Sequence, residues 1–535
     1  ARFLGNELPP VPDRTFSPSG FFRRWMRQRL ISRNQKNVHL WYSWLQCKRS
    51  ALPLSEDYVD GCYVDHFNLL SKPETCGKLI PTSKGPVTDT ECRDRVIAAI
   101  FKNPLFSGLL DSIAENLFED SESFMDLENA FSALNPKGSA CFSHTRSEGG
   151  QHEALLELTS YTIGFSRLEL SSMTCYPIVY GKYGVSYNKV VETFEPSGSE
   201  EWLDLLDVKD ADSSRSELAE AITVRSGMSS VLPATIQAVL EPLKCRVISK
   251  GPALDYYRMK PLQVKLHTLL RNMPAFELIG REFCGTSLLD IESATLDHCL
   301  DLPFTRDEAE WLSVDYSAAT DNLSWVYSSQ ILRRILSRLP PTYIEEALKV
   351  LGPHDLHYPA TRVVETKPGV FELRRSLEYW GRQARGQLMG SILSFPILCL
   401  ANLGLYLGVT GRCDEHALSS VMINGDDMLY IGNRAIFKKH TLWGSFIGLE
   451  MSVGKAYHSS WYANVNSTSV VYDLKRSDKC PTTIPYFPSG LFLDRHKVQE
   501  NKDDDVRLKR KREAYRGKAI YPLPEKETKE KEEKE

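Results

Sequence analysis

The sequence predicts an α+β fold in which an antiparallel sheet is flanked by helices, and three stretches carry that expectation. Val421–Ile431 sets two short apolar runs around Asn424-Gly425-Asp426-Asp427, and an Asn-Gly step between such runs is a strong hairpin signal. Trp311 to Asp315 reads as a short strand ending in a carboxylate. A turn and an amphipathic helix to about Leu339 follow it, with Leu323, Val326, Ile331, Ile335 and Leu339 on the apolar stripe. Ile392–Val409 is 18 residues without a charge. Because Pro396 is tolerated only in the first turn of a helix, that helix is expected to begin near Ser394.

The chain of 535 residues has room for roughly two to four domain-sized units. Its 42% hydrophobic and 25% charged residues are those of a soluble globular protein. A formal net charge of −4 excludes a uniformly basic nucleic-acid coat, so any nucleic acid must lie in a local basic groove. Twelve cysteines are scattered with no Cys-x-x-Cys pair, which points to free thiols in a reducing compartment. Cys413 with His416, and His354 with His357, lack the second ligand pair that a zinc site needs. Ile392–Val409 has the length of a marginal membrane span. It contains Ser394, Pro396, Asn402, Gly404 and Gly408 and lacks interfacial anchors, so a buried helix, and no membrane span, is expected.

Between Arg14 and Leu54 there are nine Lys or Arg and no Asp or Glu. Arg23, Arg24, Arg27, Arg29 and Arg33 alternate with Phe21, Phe22, Trp25, Trp41 and Trp44, a composition suited to tracking phosphates and stacking on bases. An amphipathic helix packed on the main body and an Arg-rich targeting segment are competing readings. Residues 91–135 read as helices, with Glu119, Asp120, Glu122, Asp126 and Glu128 as a solvated acidic face. In Ala140–Gly150 the paired Gly149-Gly150 after Arg146-Ser147-Glu148 marks a bend or a close backbone approach. Residues 150–240 alternate helical patterns with breaks such as Pro196–Ser199 and carry no identifiable chemistry.

Glu241–Gly251 reads as a strand bracketed by Pro242 and Gly251. Its period of two sends Lys244, Arg246 and Lys250 to one face. Three cations there repel unless something anionic lies across them, and a triphosphate fits; an edge strand protected by lysine is the plainer alternative. Asp321 lies at a helix entrance, where N-capping is its simplest explanation, whereas Asp315 at a strand end has no such role. Arg385–Pro396 is a glycine-flexed loop feeding the apolar helix, whose first hydroxyls face whatever the loop encloses. After the Gly-Asp-Asp hairpin, Arg434 to Ile447 reads as a helix. Met451–Lys455 returns as a strand or turn carrying a lysine. From Asn501 onward the chain is charge-dense, as a solvated helix or a disordered tail is.

Adjacent ionised carboxylates at a hairpin tip repel and raise the pKa of one of them. A divalent cation removes the repulsion, and Mg²⁺ is commonly held by one or two carboxylates plus substrate phosphates. Asp426 and Asp427 supply two such carboxylates, and Asp315 supplies a third. A polar turn that contains Gly-Asp-Asp by accident is the alternative for the hairpin taken alone.

In order, these parts are a basic strand, Asp-x₅-Asp, a Gly-rich loop into a helix, a Gly-Asp-Asp hairpin and a lysine. They resemble motifs F, A, B, C and D of viral RNA-directed RNA polymerases. Asp315-Tyr-Ser-Ala-Ala-Thr-Asp-Asn-Leu323, Gly386-Gln-Leu-Met-Gly-Ser391 and Thr145-Arg-Ser-Glu-Gly-Gly150 resemble the narnavirus, mitovirus and botourmiavirus group. Asn464-Val465-Asn466-Ser467 and Tyr486-Phe-Pro-Ser-Gly-Leu491 look most like the botourmiavirus (ourmia-like) branch. The resemblance runs from about residue 140 to 492.

The resemblance implies a right hand of fingers, palm and thumb. Residues 1–60 are then a basic N-terminal extension and 61–305 the fingers, with the basic strand at 241–251. The palm is 306–470 with a fingers insertion at about 340–380, the palm–thumb junction and small thumb are 471–500, and 501–535 is a charged tail. It implies that Asp315 and Asp426, assisted by Asp427, bind two Mg²⁺ ions (Mn²⁺ substituting) for nucleotidyl transfer. Lys244, Arg246 and Lys250 cradle ribonucleoside triphosphates, and Lys455 acts as general acid at the leaving group, with an ordinary surface lysine as its alternative. Asp321 and Ser394 bond the ribose 2′-hydroxyl, Gly390, Ser391 and Asn402 complete the substrate side, and Arg146, Gly149 and Gly150 meet template RNA.

One position departs from the pattern. Many positive-strand RNA virus polymerases carry an Asn four residues beyond the one matching Ser394, where this chain has Leu398; Asn402 lies one further turn along. A reverse transcriptase, with a Tyr/Phe-x-Asp-Asp hairpin and a bulky residue against the 2′-hydroxyl, fits less well than Gly425 and Asp321 do. A non-catalytic RNA-binding replication protein leaves the three aspartates without a role. Host cytoplasm is the expected location, the Arg-rich N-terminus leaving the mitochondrion as the other.

Overall fold

The computed structural model describes Arg24 and residues 56–82, 85–125, 139–155, 231–241, 244–299, 302–367, 370–476 and 480–484. The rest of the Arg23–Trp44 segment, the Pro196–Ser199 break, Tyr486–Leu491 and the charged tail lie outside the described residues. The helices are α1 (Glu56–Leu70), α2 (Asp89–Phe101), α3 (Pro104–Glu119), α4 (Ser121–Met125), α5 (Ala253–Arg258), α6 (Lys260–Arg271), α7 (Thr286–Glu292), α8 (Ala319–Asn322), α9 (Trp325–Ile335), α10 (Pro341–Leu351), α11 (Ser394–Thr410) and α12 (Arg434–Phe446). The strands are β1 (Leu79–Thr82), β2 (Gly85–Thr88), β3 (Leu232–Glu241), β4 (Lys244–Lys250), β5 (Glu310–Val314), β6 (His354–Lys367), β7 (Val370–Arg382), β8 (Val421–Asn424), β9 (Asp427–Gly432), β10 (Tyr457–Ser459), β11 (Tyr462–Val465), β12 (Thr468–Val471) and β13 (Thr482–Thr483).

The chain divides into two compact units, residues 1–65, 238–247 and 484–535 in one, and 66–237 and 248–483 in the other. In the smaller, Tyr63 Oη accepts a hydrogen bond from the Ala238 N–H at 2.8 Å. Cys245 is hydrogen-bonded to Cys62, and burial pushes its thiol up to about 12.

The larger unit is organised around α11. Its residues from Ile397 to Leu407 are all buried, and it packs against α2, α3, α9 and α12. A helix that is apolar all round belongs inside a core, and each leucine it buries contributes roughly 2 kcal/mol. An aspartate at Leu400 would place an unpaired charge there and break the helix from its neighbours. Its neighbours are fixed by local signals: Asn103 caps α3 by accepting from the Phe106 N–H at 3.0 Å, Pro104 takes the first helical position, and the Asn103 amide donates to the Arg412 carbonyl at 2.8 Å. Among the described residues no single helix is long and apolar enough to cross a membrane.

Against this helix lies an antiparallel four-stranded sheet in the order β10-β5-β9-β8. Its β5 is buried on both faces, with Trp311 fully enclosed and donating from Nε1 to the Tyr472 carbonyl at 2.9 Å. The second sheet, β11-β12-β13, is tied to β5 by the Asn464 N–H, which donates to Ser313 Oγ at 2.9 Å. Elsewhere β3 pairs parallel with β6, and β6 forms a long antiparallel hairpin with β7.

The expected helix after Asp315 is divided. A short α8 ends at Asn322, and Leu323 turns extended before α9. Ser324 starts the new helix, accepting from the Tyr327 N–H at 3.3 Å, while the Glu74 carboxylate takes its hydroxyl at 2.8 Å and the Trp325 N–H as well. Asp321 therefore caps nothing: it lies inside α8 with its side chain buried.

Candidate active site

Strand register brings the three aspartates together. Val314 pairs with Met428 across β5 and β9, so Asp315 leaves the end of β5 opposite Asp427. Asn424 pairs with Asp427, which makes Gly425-Asp426 the two-residue turn. Gly425 has φ +67°, and glycine with positive φ in the first turn position is the pattern of a II′ hairpin. The hairpin thus stands, but its centre is Gly-Asp and not Asn-Gly. Asp426 is exposed at the tip, while Asp427 is half-buried as the first residue of β9.

Burial, then the charges of Asp426 and Asp315, push the Asp427 carboxyl up to about 6. Lys455 and a hydrogen bond from the Asn466 N–H oppose that rise. Asn466 reaches Asp427 from the turn between β11 and β12. Val465 and Thr468 pair there, and Asn466 and Ser467 both take positive φ, +50° and +60°.

Lys455 is delivered by the return after α12. Tyr316 bridges Met451, the Ser452 N–H donates to the Asp315 carbonyl at 2.8 Å, and the Lys455 N–H donates to Ser452 at 3.2 Å. Its Nζ then stands 3.3 Å from both oxygens of the Asp315 carboxylate. Among the described residues no three His, Cys, Asp or Glu side chains form a ready-made metal cage. An all-oxygen set of mutually repelling carboxylates nevertheless fits a hard divalent cation that keeps part of its coordination for water and phosphate.

A second cluster lies around Asp321. Its Oδ1 is buried without a hydrogen-bond partner and lies 4.0 Å from His66 Nε2. Burial pushes the Asp321 carboxyl up to about 7 and the His66 imidazole down to about 4, while His66 Nδ1 bonds Tyr358 Oη at 2.8 Å. The glycine loop is pressed against this aspartate. A Cβ on Gly386 would lie 2.1 Å from the Asp321 carbonyl oxygen, and the Gln387 N–H donates to the Thr320 carbonyl at 2.8 Å. Ser394, the first residue of α11 as expected from Pro396, donates to Gln387 Oε1 at 2.8 Å. Gln387 Nε2 is buried with no partner.

The remaining substrate-side residues are placed differently. Ser391 turns its hydroxyl inward to the Val350 carbonyl at 2.7 Å. Gly390 lies against β4, where the Ser249 N–H donates to the Met389 carbonyl at 2.8 Å. Asn402 is fully buried; it accepts from Tyr316 Oη at 2.7 Å and donates to the Gly425 carbonyl at 3.1 Å. The resemblance put Asn402 on the substrate side; in the structure its amide is engaged by Tyr316 and by the carbonyl of the Gly425-Asp426 turn. Leu398 is buried and offers no polar group.

In the 139–155 segment Arg146–Glu148 forms a single 3₁₀ turn, and Gly149 and Gly150 both bend through positive φ, +90° and +61°. Arg146 is exposed. Bonds from the Thr145 N–H and hydroxyl hold the Glu148 carboxyl low, with attraction from Lys250 adding to them. The Phe142 N–H donates to the Gly251 carbonyl at 2.8 Å, so this loop and the end of β4 are neighbours. Lys244 and Arg246 fall in the smaller unit, where Arg246 is exposed.

Asn466, Gln387 and His66 join these clusters without a role having been expected of them, as does His440 of α12, whose Nε2 lies 2.7 Å from Tyr316 Oη. The Gly-Gln-Leu-Met-Gly run carried a signal for Gln387. The Asn464–Ser467 run carried one for Asn466, whereas nothing local marks His66 or His440, whose partners Tyr358 and Tyr316 lie 292 and 124 positions away.

No protein-family profile matches the chain. Over 245 residues, 45% of its length, it is 33% identical to the RNA-dependent RNA polymerase of Ourmia melon virus (isolate Melon/Iran/VE9). The stretch matched is 27% of that relative, so the chain spans about a quarter of its length. The resemblance read from the motifs is thus met by a direct match, and the chain is similar to an ourmia-like (botourmiavirus) RNA-dependent RNA polymerase.

Proposed function

We propose that this chain is an RNA-directed RNA polymerase that copies the genome of a positive-strand RNA virus. The observation that carries the proposal is the convergence of Asp315, Asp426 and Asp427 at one end of an antiparallel sheet, with Lys455 at Asp315. The similarity to a polymerase of that class supports it. In this reading the β10-β5-β9-β8 sheet is the palm of a right hand whose fingers and thumb follow the boundaries given above.

Asp315 and Asp426 would hold two Mg²⁺ ions, with Asp427 assisting, and Mn²⁺ could take their place. When bound, the ions supply Lewis-acid stabilisation to the attacking 3′-hydroxyl and to the triphosphate. The bond formed joins the 3′-oxygen, whose proton passes to solvent water, to the α-phosphorus, and the bond broken, from the α-phosphorus to the oxygen bridging to the β-phosphorus, releases pyrophosphate. Lys455 Nζ, 3.3 Å from the Asp315 carboxylate, turns from that carboxylate to give a proton to the departing pyrophosphate. Asp321 orients the ribose, its buried Oδ1 accepting from the 2′-hydroxyl, and Ser394 and Gln387 hold the loop at that carboxylate. Lys250, in the same unit as the aspartates, neutralises the incoming phosphates, and Arg146 with the Gly149-Gly150 bend meets the template. RNA template, product and ribonucleoside triphosphates are the partners, and the host cytoplasm is the proposed location.

The test is an incorporation assay on an RNA template with Mg²⁺ and either rNTPs or dNTPs. Template-dependent incorporation of rNTPs is expected. dNTP incorporation indicates a reverse transcriptase instead, and template binding without synthesis under several metals and primers indicates a non-catalytic RNA-binding protein.

A further inference from the structure

Beneath the Gly425-Asp426 turn runs a line of four buried polar side chains, each from a different element. Tyr316 follows β5, Asn402 lies in α11, Tyr430 in β9 and His440 in α12; Asn402, Tyr430 and His440 are fully enclosed and Tyr316 nearly so. Tyr430 Oη lies 2.8 Å from His440 Nδ1. His440 Nε2 lies 2.7 Å from Tyr316 Oη, which is 2.7 Å from Asn402 Oδ1, and Asn402 Nδ2 is 3.1 Å from the Gly425 carbonyl oxygen. The His440 ring lies within 27° and 21° of parallel to the two tyrosine rings, with centroids 6.1 and 5.7 Å away.

The proton positions follow from one end of this line. A carbonyl can only accept, so the Asn402 NH₂ faces Gly425 and its oxygen faces Tyr316. Tyr316 must then donate to Asn402, which leaves its oxygen to accept from His440. The imidazole is kept neutral by burial, which pushes its pKa down to about 3, so it carries one proton, and that proton is on Nε2. Nδ1 is therefore an acceptor, filled by the Tyr430 hydroxyl. Every bond points toward Gly425, the residue that turns the chain between the catalytic strands.

We propose that His440, held as its Nε2–H tautomer, is a positioning residue of the catalytic turn, acting through Tyr316 and Asn402 on the Gly425 carbonyl to aim Asp426 and Asp427. This rests on the polymerase reading for its kinetic consequence but not for the tautomer. An imidazole is suited to the place because one neutral ring both accepts and donates across its width. Outer groups that orient metal-binding side chains typically carry a large share of affinity and rate.

The test has two arms on the full chain. In protein labelled with ¹⁵N-histidine, the His440 resonance, assigned by its loss in His440→Gln, is expected to report a proton on Nε2 in the wild type. A proton on Nδ1, or a charged ring at pH 7, overturns the directed chain. In the second arm, His440→Phe is expected to lower kcat for nucleotide addition by about tenfold or more and to raise the Mg²⁺ concentration for half-maximal rate. The KM for rNTP should stay within about twofold. His440→Gln, which keeps a donor and an acceptor, should recover most of both. A fall in Tm with kcat and Mg²⁺ dependence unchanged in folded His440→Phe overturns the positioning role. If wild-type protein makes no RNA, the polymerase reading fails and the positioning role fails with it, while the tautomer arm still decides the hydrogen-bond chain.

Discussion

Lys455 Nζ stands 3.3 Å from each carboxylate oxygen of Asp315, a residue 140 positions away in the chain. Neither residue's neighbours in sequence require the approach; it is made by the Ser452 N–H on the Asp315 backbone carbonyl and by the Tyr316–Met451 bridge. The lysine side chain is 62% exposed, so the ion pair is screened and adds little stability. Under the polymerase reading proposed above, its place at the carboxylate that ends β5 puts it in reach of the departing pyrophosphate.

Lys455→Met should therefore lower the rate of single-nucleotide addition by about 10²-fold or more while leaving thermal stability nearly unchanged. Lys455→Arg keeps the charge at Asp315 but holds its proton too tightly to give it up, and should recover nucleotide binding without recovering the rate. Rapid-quench measurements on the three proteins check this. Equal rates in all three would return Lys455 to an ordinary surface lysine.

Asp427 has its pKa raised to about 6 by burial and by its neighbouring carboxylates. A carboxyl raised in the folded state favours folding below its unfolded pKa, and that advantage is lost as pH rises from about 4 through 6. Asp427→Asn should thus be more stable than wild type at pH 8 by on the order of 1 kcal/mol after allowance for solvent screening, with no gain at pH 4. Urea denaturation at the two pH values measures the difference. Added Mg²⁺ should narrow it at pH 8, because a cation that binds only the folded wild type stabilises it. A gain independent of pH would contradict the origin given for the shift.

Around the sugar, Asp321→Ala should reduce the preference for rNTP over dNTP by about 10- to 100-fold, the loss expected when a buried acceptor built for a hydroxyl is removed. Ser394→Ala, which frees Gln387 from its 2.8 Å bond, should reduce it less. Competition assays with matched rNTP and dNTP measure the ratio. An unchanged ratio in Asp321→Ala would move sugar selection elsewhere.

Gly386→Ala places a Cβ 2.1 Å from the Asp321 carbonyl oxygen at a φ of +75°. Overpacking and left-handed strain together should cost about 3 kcal/mol or more, seen as a large fall in Tm, or as lost sugar discrimination where the loop moves instead.

Features set by local chemistry were legible in the sequence: the hairpin at Asp426, the strand end at Asp315, the start of α11 from Pro396 and the bend at Gly149-Gly150. The turn centre was not, because Asn424-Gly425 and Gly425-Asp426 are both acceptable turn pairs and ladder register chooses between them. Capping was the plain local alternative for Asp321 because helix starts attract aspartate, whereas Ser324 and Glu74 took that role through contacts made only in the fold. Asn402 was legible as a polar residue on an apolar helix, but its partners Tyr316 and Gly425 lie on two other elements. Asn466 contributes a backbone N–H, which no side-chain pattern records.

The central claim is that Asp315, Asp426 and Asp427 form one nucleotidyl-transfer site, and Asp426→Asn tests it most directly. Wild-type and Asp426→Asn proteins of equal stability are compared for RNA-templated rNTP incorporation with Mg²⁺. Robust synthesis by the wild type and its loss by about 10³-fold or more in the variant, with template affinity retained, is the predicted result. Synthesis by Asp426→Asn at the wild-type rate would contradict it.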